Sequence, residues 1–176
     1  HDLRSQHLPI HQLGYFGGLW TTCNIAIAGT SSKVKGLMTA ENILVVDDDR
    51  TTCKVLELQL GNLGYNVIGS ARTANEAIRM VRAHEPDLVL MDINLGRGGD
   101  GISTAELIRK EFSVPVVYVT AYADEDTLER AKKTLPFGYV NKPIRPTDLR
   151  TAVAIAISQA ERIEEEAASY QPINNA

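Results

Sequence analysis

The chain is predicted to adopt an α/β fold in which one parallel sheet of five strands is wound on both faces by helices. Two observations carry that prediction. From residue 42 onward, short apolar runs alternate with amphipathic stretches of helical period, which is the pattern of successive βα units. Three of the runs, ILVVDDD at 43–49, LVLMD at 88–92 and GYVNKP at 138–143, release a charged side chain where a buried strand would end. Ligand groups collect at that carboxyl edge of an open α/β sheet.

The elements follow in order. Ile43 to Val46 read as the first strand, and Cys53, Leu56, Leu60 and Leu63 recur at three and four residues as one face of a helix that Gly61 and Gly64 bring to an end. Tyr65 to Ile68 read as the second strand, and Ala74, Ala77, Ile78 and Val81 mark the second helix. Pro86 stands at the start of the third strand, Leu88 to Met91, a position that tolerates proline. The run Gly96-Arg97-Gly98-Gly99-Asp100-Gly101 lacks the GxxxxGK[ST] spacing of a phosphate loop and reads as a flexible connector. Ile102, Ala105, Ile108 and Phe112 supply the third helix, and Val114 to Val119 the fourth strand, ended by Thr120. Asp124 precedes a helix reaching about Thr134, with Glu125 and Asp126 complementing its N-terminal dipole. Phe137 to Val140 read as the fifth strand. Leu149, Ala152, Val153, Ala156, Ala160 and Ile163 form the apolar stripe of a last helix continuing to about Ala168, with Ile155 on its opposite side.

The chain has 176 residues, 44% hydrophobic and 23% charged, enough for one packed domain. A net charge of −4 and the lack of a Lys/Arg cluster argue against a nucleic-acid surface. The two cysteines, Cys23 and Cys53, have neither CxxC spacing nor nearby histidines, which argues against a disulfide framework or zinc site and fits the cytoplasm. No uncharged apolar run reaches the length of a membrane helix. Arg4, the stretch 14–20 and Ala26-Ile27-Ala28 mimic a secretory signal poorly, since Thr21, Thr22 and Asn24 interrupt the apolar part. Residues 1–37 show no sustained period and are expected to be a leader outside the fold, a cloning or upstream-translation remnant. The domain is then expected over 38–168 and a short tail over 169–176.

The chemistry lies at the strand ends. Asp47, Asp48, Asp92 and Lys142 are expected to meet there. Unit charges a few Å apart cost several kcal/mol even at an effective dielectric of about 20, so three carboxylates call for a cation. Hard oxygen ligands with room for water favour Mg²⁺.

Five features in order, Asp47-Asp48, Asp92, Thr120 with Ala121, Tyr139, and Lys142-Pro143, resemble the receiver domain of two-component response regulators over roughly residues 41–165. The resemblance implies a flavodoxin-like (βα)₅ sheet with strand order 2-1-3-4-5. It also implies that Asp92 accepts a phosphoryl group from a histidine kinase or histidine phosphotransfer protein, a signalling role without turnover of a separate substrate. By the same resemblance, Mg²⁺ is bound by Asp48, Asp92 and the backbone carbonyl of Asn94, and by Asp47 through water. Lys142 and Thr120 would stabilise the phosphoryl oxygens, and the Lys142–Pro143 bond would be cis. Thr120 and Tyr139 would switch the face of helix four, strand five and helix five, where an unknown downstream protein or a second copy would dock. Asn94 and Tyr122 would flank the approach of attacking water.

Some residues depart from the family pattern. Gly96 replaces a frequent proline, the loop to Gly101 is one residue longer than usual, Leu135-Pro136-Phe137-Gly138 replaces a run of small residues, and Ile144 stands where Phe is common. Two rival readings stay open at this point. Asp47-Asp48-Asp49-Arg50-Thr51 fits the DxDxT pattern of haloacid-dehalogenase-like phosphatases, with Asp47 as nucleophile and Mg²⁺ again required. A pseudo-receiver that binds partners without phosphorylation is the other.

Overall fold

The computed structural model describes residues 40–121 and 124–169. Five strands, β1 (Asn42–Val46), β2 (Asn66–Ala71), β3 (Leu88–Asp92), β4 (Val116–Thr120) and β5 (Gly138–Asn141), alternate with five helices. The helices are α1 (Arg50–Asn62), α2 (Ala74–His84), α3 (Gly101–Phe112), α4 (Glu125–Lys133) and α5 (Pro146–Ser169). All strand pairs are parallel, in the order β2-β1-β3-β4-β5. The chain moves outward from β1 to β2 and then crosses back to β3, so the direction of winding reverses between β1 and β3. That switch point opens a crevice beyond their carboxyl ends.

Each central strand is buried on both sides, and the two-residue pleat divides its side chains between two cores. Leu44, Val46, Val89, Met91, Val116 and Tyr118 pack with α2, α3 and Ala131 of α4. Ile43, Val45, Leu88, Leu90, Val117 and Val119 pack with α1 and α5. Strand residues buried on both faces are why these segments appear in the sequence as unbroken apolar runs. Helix starts are capped by short polar side chains: Asp49 accepts from the Thr51 and Thr52 amides, Thr73 from the Glu76 amide, and Asp124 from the Thr127 amide.

Several elements differ from expectation: β4 begins at Val116, two residues after the expected Val114, and β5 runs Gly138–Asn141, one residue further on than expected. β2 begins one residue later than expected and runs on to Ala71, because its register with β1 slips between Ile43 and Leu44 and leaves Ile68 without an opposite partner. The bulge breaks the apolar alternation that pattern-reading depends on. In α5, Ile163 is 56% exposed, whereas Ile157, outside the expected stripe, is buried. A helix of 24 residues is about 36 Å long and outruns strands of four to six residues, so its last turns have no sheet beneath them. Ile155 is exposed, as its place opposite the stripe predicts. The expected leader over 1–37, the end of the tail and Tyr122 lie outside the described residues.

Gly61 sits inside α1 with nothing within 4 Å of where a Cβ would be. Gly61→Ala is therefore expected to stabilise the fold by about 0.5–1 kcal/mol, through reduced backbone freedom in the unfolded chain. The urea midpoint should rise with an unchanged slope.

Candidate functional site: an acidic cluster at the switch point

The carboxyl ends of β1, β3 and β5 meet around a cluster of charges. Asp47 and Asp48 leave β1, Asp92 ends β3, and one carboxylate oxygen from each lies within 4.8 Å of the others. Asp47 is the most enclosed, 1% exposed, and Asp92 is 7% exposed. Lys142 reaches into the cluster from the residue after β5, and its ammonium donates to Asp47 Oδ2 at 2.7 Å and to Asp92 Oδ2 at 2.9 Å. Its backbone N–H donates to the Thr120 carbonyl at 2.7 Å, which ties the lysine to the end of β4. The Lys142–Pro143 peptide is cis.

The electrostatics follow from burial. Burial pushes the Asp92 carboxyl above its usual pKa, and Asp47 beside it adds to the rise, although the hydrogen bond and charge of Lys142 oppose both. For Lys142, burial disfavours the ammonium, but its bonds to Asp47 and Asp92 outweigh that and raise its pKa. The lysine therefore stays charged at neutral pH and neutralises part of the acidic cluster.

The loop after β3 is not the flexible connector that its composition predicts. Asn94 and Asp100 form an antiparallel bridge across it, residues Gly96–Gly98 make a 3₁₀ turn, and the Gly101 N–H donates to the Ile93 carbonyl at 3.0 Å. Glycine is used here for close approach. A Cβ on Gly101 would lie 1.9 Å from the Asp92 carbonyl oxygen, so α3 could not start where it does with any other residue. Asp100 then caps α3 through the Ile102 amide and also binds the Ser103 hydroxyl and the Arg130 guanidinium of α4. Sequence reading missed Asp100, although an Asp just ahead of an apolar-periodic stretch is a recognisable cap.

Thr120, 7% exposed, ends β4 beside the cluster. Tyr139 lies on the outer side of β5, 38% exposed, with its ring centroid 5.7 Å from that of Tyr118. The structure thus gathers Asp47, Asp48, Asp92, Lys142 and Thr120 around one crevice, with Asn94 in the loop above it, and sets Tyr139 on the neighbouring surface. The donor set, three carboxylates converging within a few Å, fits a hard divalent cation with water completing its shell.

Comparison with known proteins gives the class. Residues 43–154 match the response regulator receiver domain family, to which this chain belongs. Among relatives, it is 33% identical over 121 residues to the transcriptional regulatory protein PdtaR of Mycobacterium tuberculosis, covering 69% of this chain and 58% of PdtaR. It is 35% identical over 120 residues to the phyllosphere-induced regulator PhyR of Methylorubrum extorquens, covering 67% of this chain and 44% of PhyR. The chain thus spans about half the length of these relatives. Among solved structures, the signal receiver domain of a modulated diguanylate cyclase from Desulfovibrio desulfuricans superposes with a TM-score of 0.67 at 33% identity, over 70% of this chain and 98% of that one. A CheY-like receiver domain protein from Methanospirillum hungatei gives 0.65 at 26% identity, again over 70% and 98%. The five-stranded order 2-1-3-4-5 is the fold these domains share. No helix among the described residues is long and apolar enough to cross a membrane.

The loop's anchor has a pH signature. Burial works to raise the Asp100 pKa, but hydrogen bonds from Ser103, Arg130 and the Ile102 amide outweigh it and hold the group below its ordinary 3.8. A carboxyl lowered on folding contributes stability that is present above 3.8 and lost as pH falls through the lowered value. Asp100→Ala is expected to cost about 1 kcal/mol at pH 7, the size of a lost helix cap. In urea melts the gap from the native chain should shrink as the pH drops below 3.8.

Proposed function

We propose that this chain is the phosphoacceptor of a two-component phosphorelay, with Asp92 taking a phosphoryl group from a phosphohistidine on a histidine kinase or histidine phosphotransfer protein. The observation that carries this reading is the single Lys142 ammonium shared between Asp47 and Asp92, with Asp48 beside them. An Asp92 carboxylate oxygen attacks phosphorus, the P–N bond to the donor imidazole breaks, and an acyl phosphate forms while the imidazole leaves with a proton. Catalysis of such a transfer consists mainly of positioning and charge stabilisation.

Asp48, Asp92 and the Asn94 carbonyl would hold Mg²⁺ directly and Asp47 through water, and the ion when bound supplies charge neutralisation to the phosphoryl oxygens. Lys142 keeps its bond to Asp47 and turns its second donor from Asp92 to a phosphoryl oxygen, so the cation already in place becomes the counter-charge. The Thr120 hydroxyl donates to another phosphoryl oxygen. Tyr139 then moves from its half-exposed position toward the space that Thr120 leaves, reshaping the face of α4, β5 and α5. An open groove of about 390 Å³ on that face runs between Tyr139 and Ile155, and an unidentified downstream protein or a second copy would dock there.

The receiver spans 38–168 and works in the cytoplasm, modifying itself and turning over no separate substrate. Membership of the receiver family supports this reading over a DxDxT phosphatase acting through Asp47, and the intact set of Asp47, Asp48, Asp92 and Lys142 supports it over a phosphorylation-independent pseudo-receiver.

Incubation with acetyl phosphate and Mg²⁺ should add the mass of one phosphoryl group, and Asp92→Asn should abolish the addition. Lys142→Ala should slow labelling about a hundredfold, the usual cost of removing one charge-stabilising donor. A label that survives Asp92→Asn, or steady hydrolysis of phosphate esters dependent on Asp47, would refute the reading. For the output face, sedimentation with an acyl phosphate analogue should show association that Ile155→Glu abolishes if the partner is a second copy.

A further inference from the structure

Asp48 is the most open of the three acids, yet its backbone is held by Arg72 and its carboxylate takes space that a glycine at 96 leaves free, both residues lying far from it in sequence. Its backbone carbonyl accepts from Arg72 Nε at 3.2 Å and Nη2 at 3.1 Å, a two-pronged contact from the turn that follows β2. The next N–H, that of Asp49, donates to Asp47 Oδ1 at 2.9 Å. The peptide unit after Asp48 is thereby fixed at both its oxygen and its nitrogen. Arg72 is itself anchored, since its N–H donates to Glu76 Oε2 at 2.9 Å.

The other side is the glycine loop. Gly96 has φ +55°, its N–H donates to Asn94 Oδ1 at 3.0 Å, and a Cβ there would lie 2.7 Å from Asp48 Oδ2. A side chain at 96 would therefore push the Asp48 carboxylate out of its place. The same loop leans on Arg72, because a Cβ on Gly98 would lie 2.7 Å from the Arg72 carbonyl oxygen.

We propose that Arg72 and Gly96 are positioning residues that set the affinity of the acidic cluster for a divalent cation, Arg72 by clamping the Asp48 backbone and Gly96 by leaving room for the Asp48 carboxylate. Groups that orient a metal's ligands from behind typically change affinity by tenfold or more when removed. The proposal rests on the metal-dependent receiver reading above. It makes a signed claim, because the Arg72 guanidinium has two opposed effects on a cation. Its charge repels the ion, but it is exposed to solvent and screened, whereas its two donors fix the ligand. The geometric effect is the larger.

The test is a titration of the full chain with Mn²⁺, following the loss of the free-ion electron paramagnetic resonance signal. Arg72→Ala and Gly96→Ala are expected to weaken Mn²⁺ binding about tenfold, and Arg72→Lys, which keeps the charge but offers a single point donor, by less. The Mg²⁺ concentration for half-maximal acetyl phosphate labelling should rise in proportion, with the rate at saturating Mg²⁺ unchanged, a split that general destabilisation would not produce. Gly61→Ala serves as the control for a glycine change that meets nothing. Arg72 is a surface residue, so its variants remain informative if Gly96→Ala fails to fold. Unchanged affinity in Arg72→Ala, or tighter binding, would overturn the clamp. If the native chain bound no Mn²⁺, the metal reading itself would fall, and the clamp with it.

Discussion

Everything distinctive in this molecule depends on one concentration of like charge. Three carboxylates stand within a few Å at the mouth of a sheet packed on both faces by apolar cores, and one ammonium bridges two of them. In low-dielectric surroundings such a group is costly unless paired. The fold meets that cost by placing the cluster at the switch point, where helices diverge and solvent reaches Asp48, and by delivering Lys142 from β5, two strands away from β3. With three acids facing a single lysine, the ionised cluster is two positive charges short of neutrality. That residual negative charge suits a divalent cation and would repel an anionic phosphoryl group without one, so the proposed phosphorylation and the proposed metal binding rest on the same electrostatics.

The strand ends were legible because burial on both faces leaves nothing but apolar residues in a strand. The first charged residue after such a run must then lie at its edge, as Asp47 and Asp92 do, whereas Lys142 follows the half-open edge strand β5. Other features left no comparable trace. A glycine run has the same composition whether it is loose or packed against a neighbour, so the close approaches at Gly96 and Gly101 were invisible until Asp48 and the Asp92 carbonyl were placed beside them. The contact of Arg72 with Asp48 ends on a backbone carbonyl and spans 24 positions, so it marks no pattern in side-chain type. Ile163 misled for a different reason: periodicity reports which face a residue occupies, but not whether any sheet extends that far.

The site is also joined to the proposed output face by graded attachments. Asp100 is bridged to Asn94 in the loop, caps α3 and pairs with Arg130 on α4. That ion pair is half-exposed, and such pairs contribute only about 0.2–1 kcal/mol. Thr134, which caps the same last turn of α4 that carries Arg130, is held more firmly. Thr134 donates its hydroxyl proton to the Ala131 carbonyl, so the hydrogen bond between Thr134 and buried Tyr118 must run from the tyrosine. Burial pushes Tyr118 up to about 12, which keeps that donor protonated throughout the physiological range. Arg109 of α3 also binds the Thr134 and Leu135 carbonyls.

Along its whole length α4 buries a single residue, Ala131, against four in α5 and five in α3. A helix with so little apolar burial opens at low cost. Both of its attachments lie in the last turn, buried hydrogen bonds at Thr134 and a weak surface ion pair from Arg130 to Asp100 at the end of the loop after β3. In the proposed phosphorelay, a shift of that loop by a phosphoryl group on Asp92 would bear on the pair between Asp100 and Arg130, the weaker of the two attachments. The Tyr118 contact that anchors the helix also supports the Tyr139 ring. Repacking of Tyr139 and movement of α4 thus share one buried neighbour, and neither can change without altering the surface that the other presents.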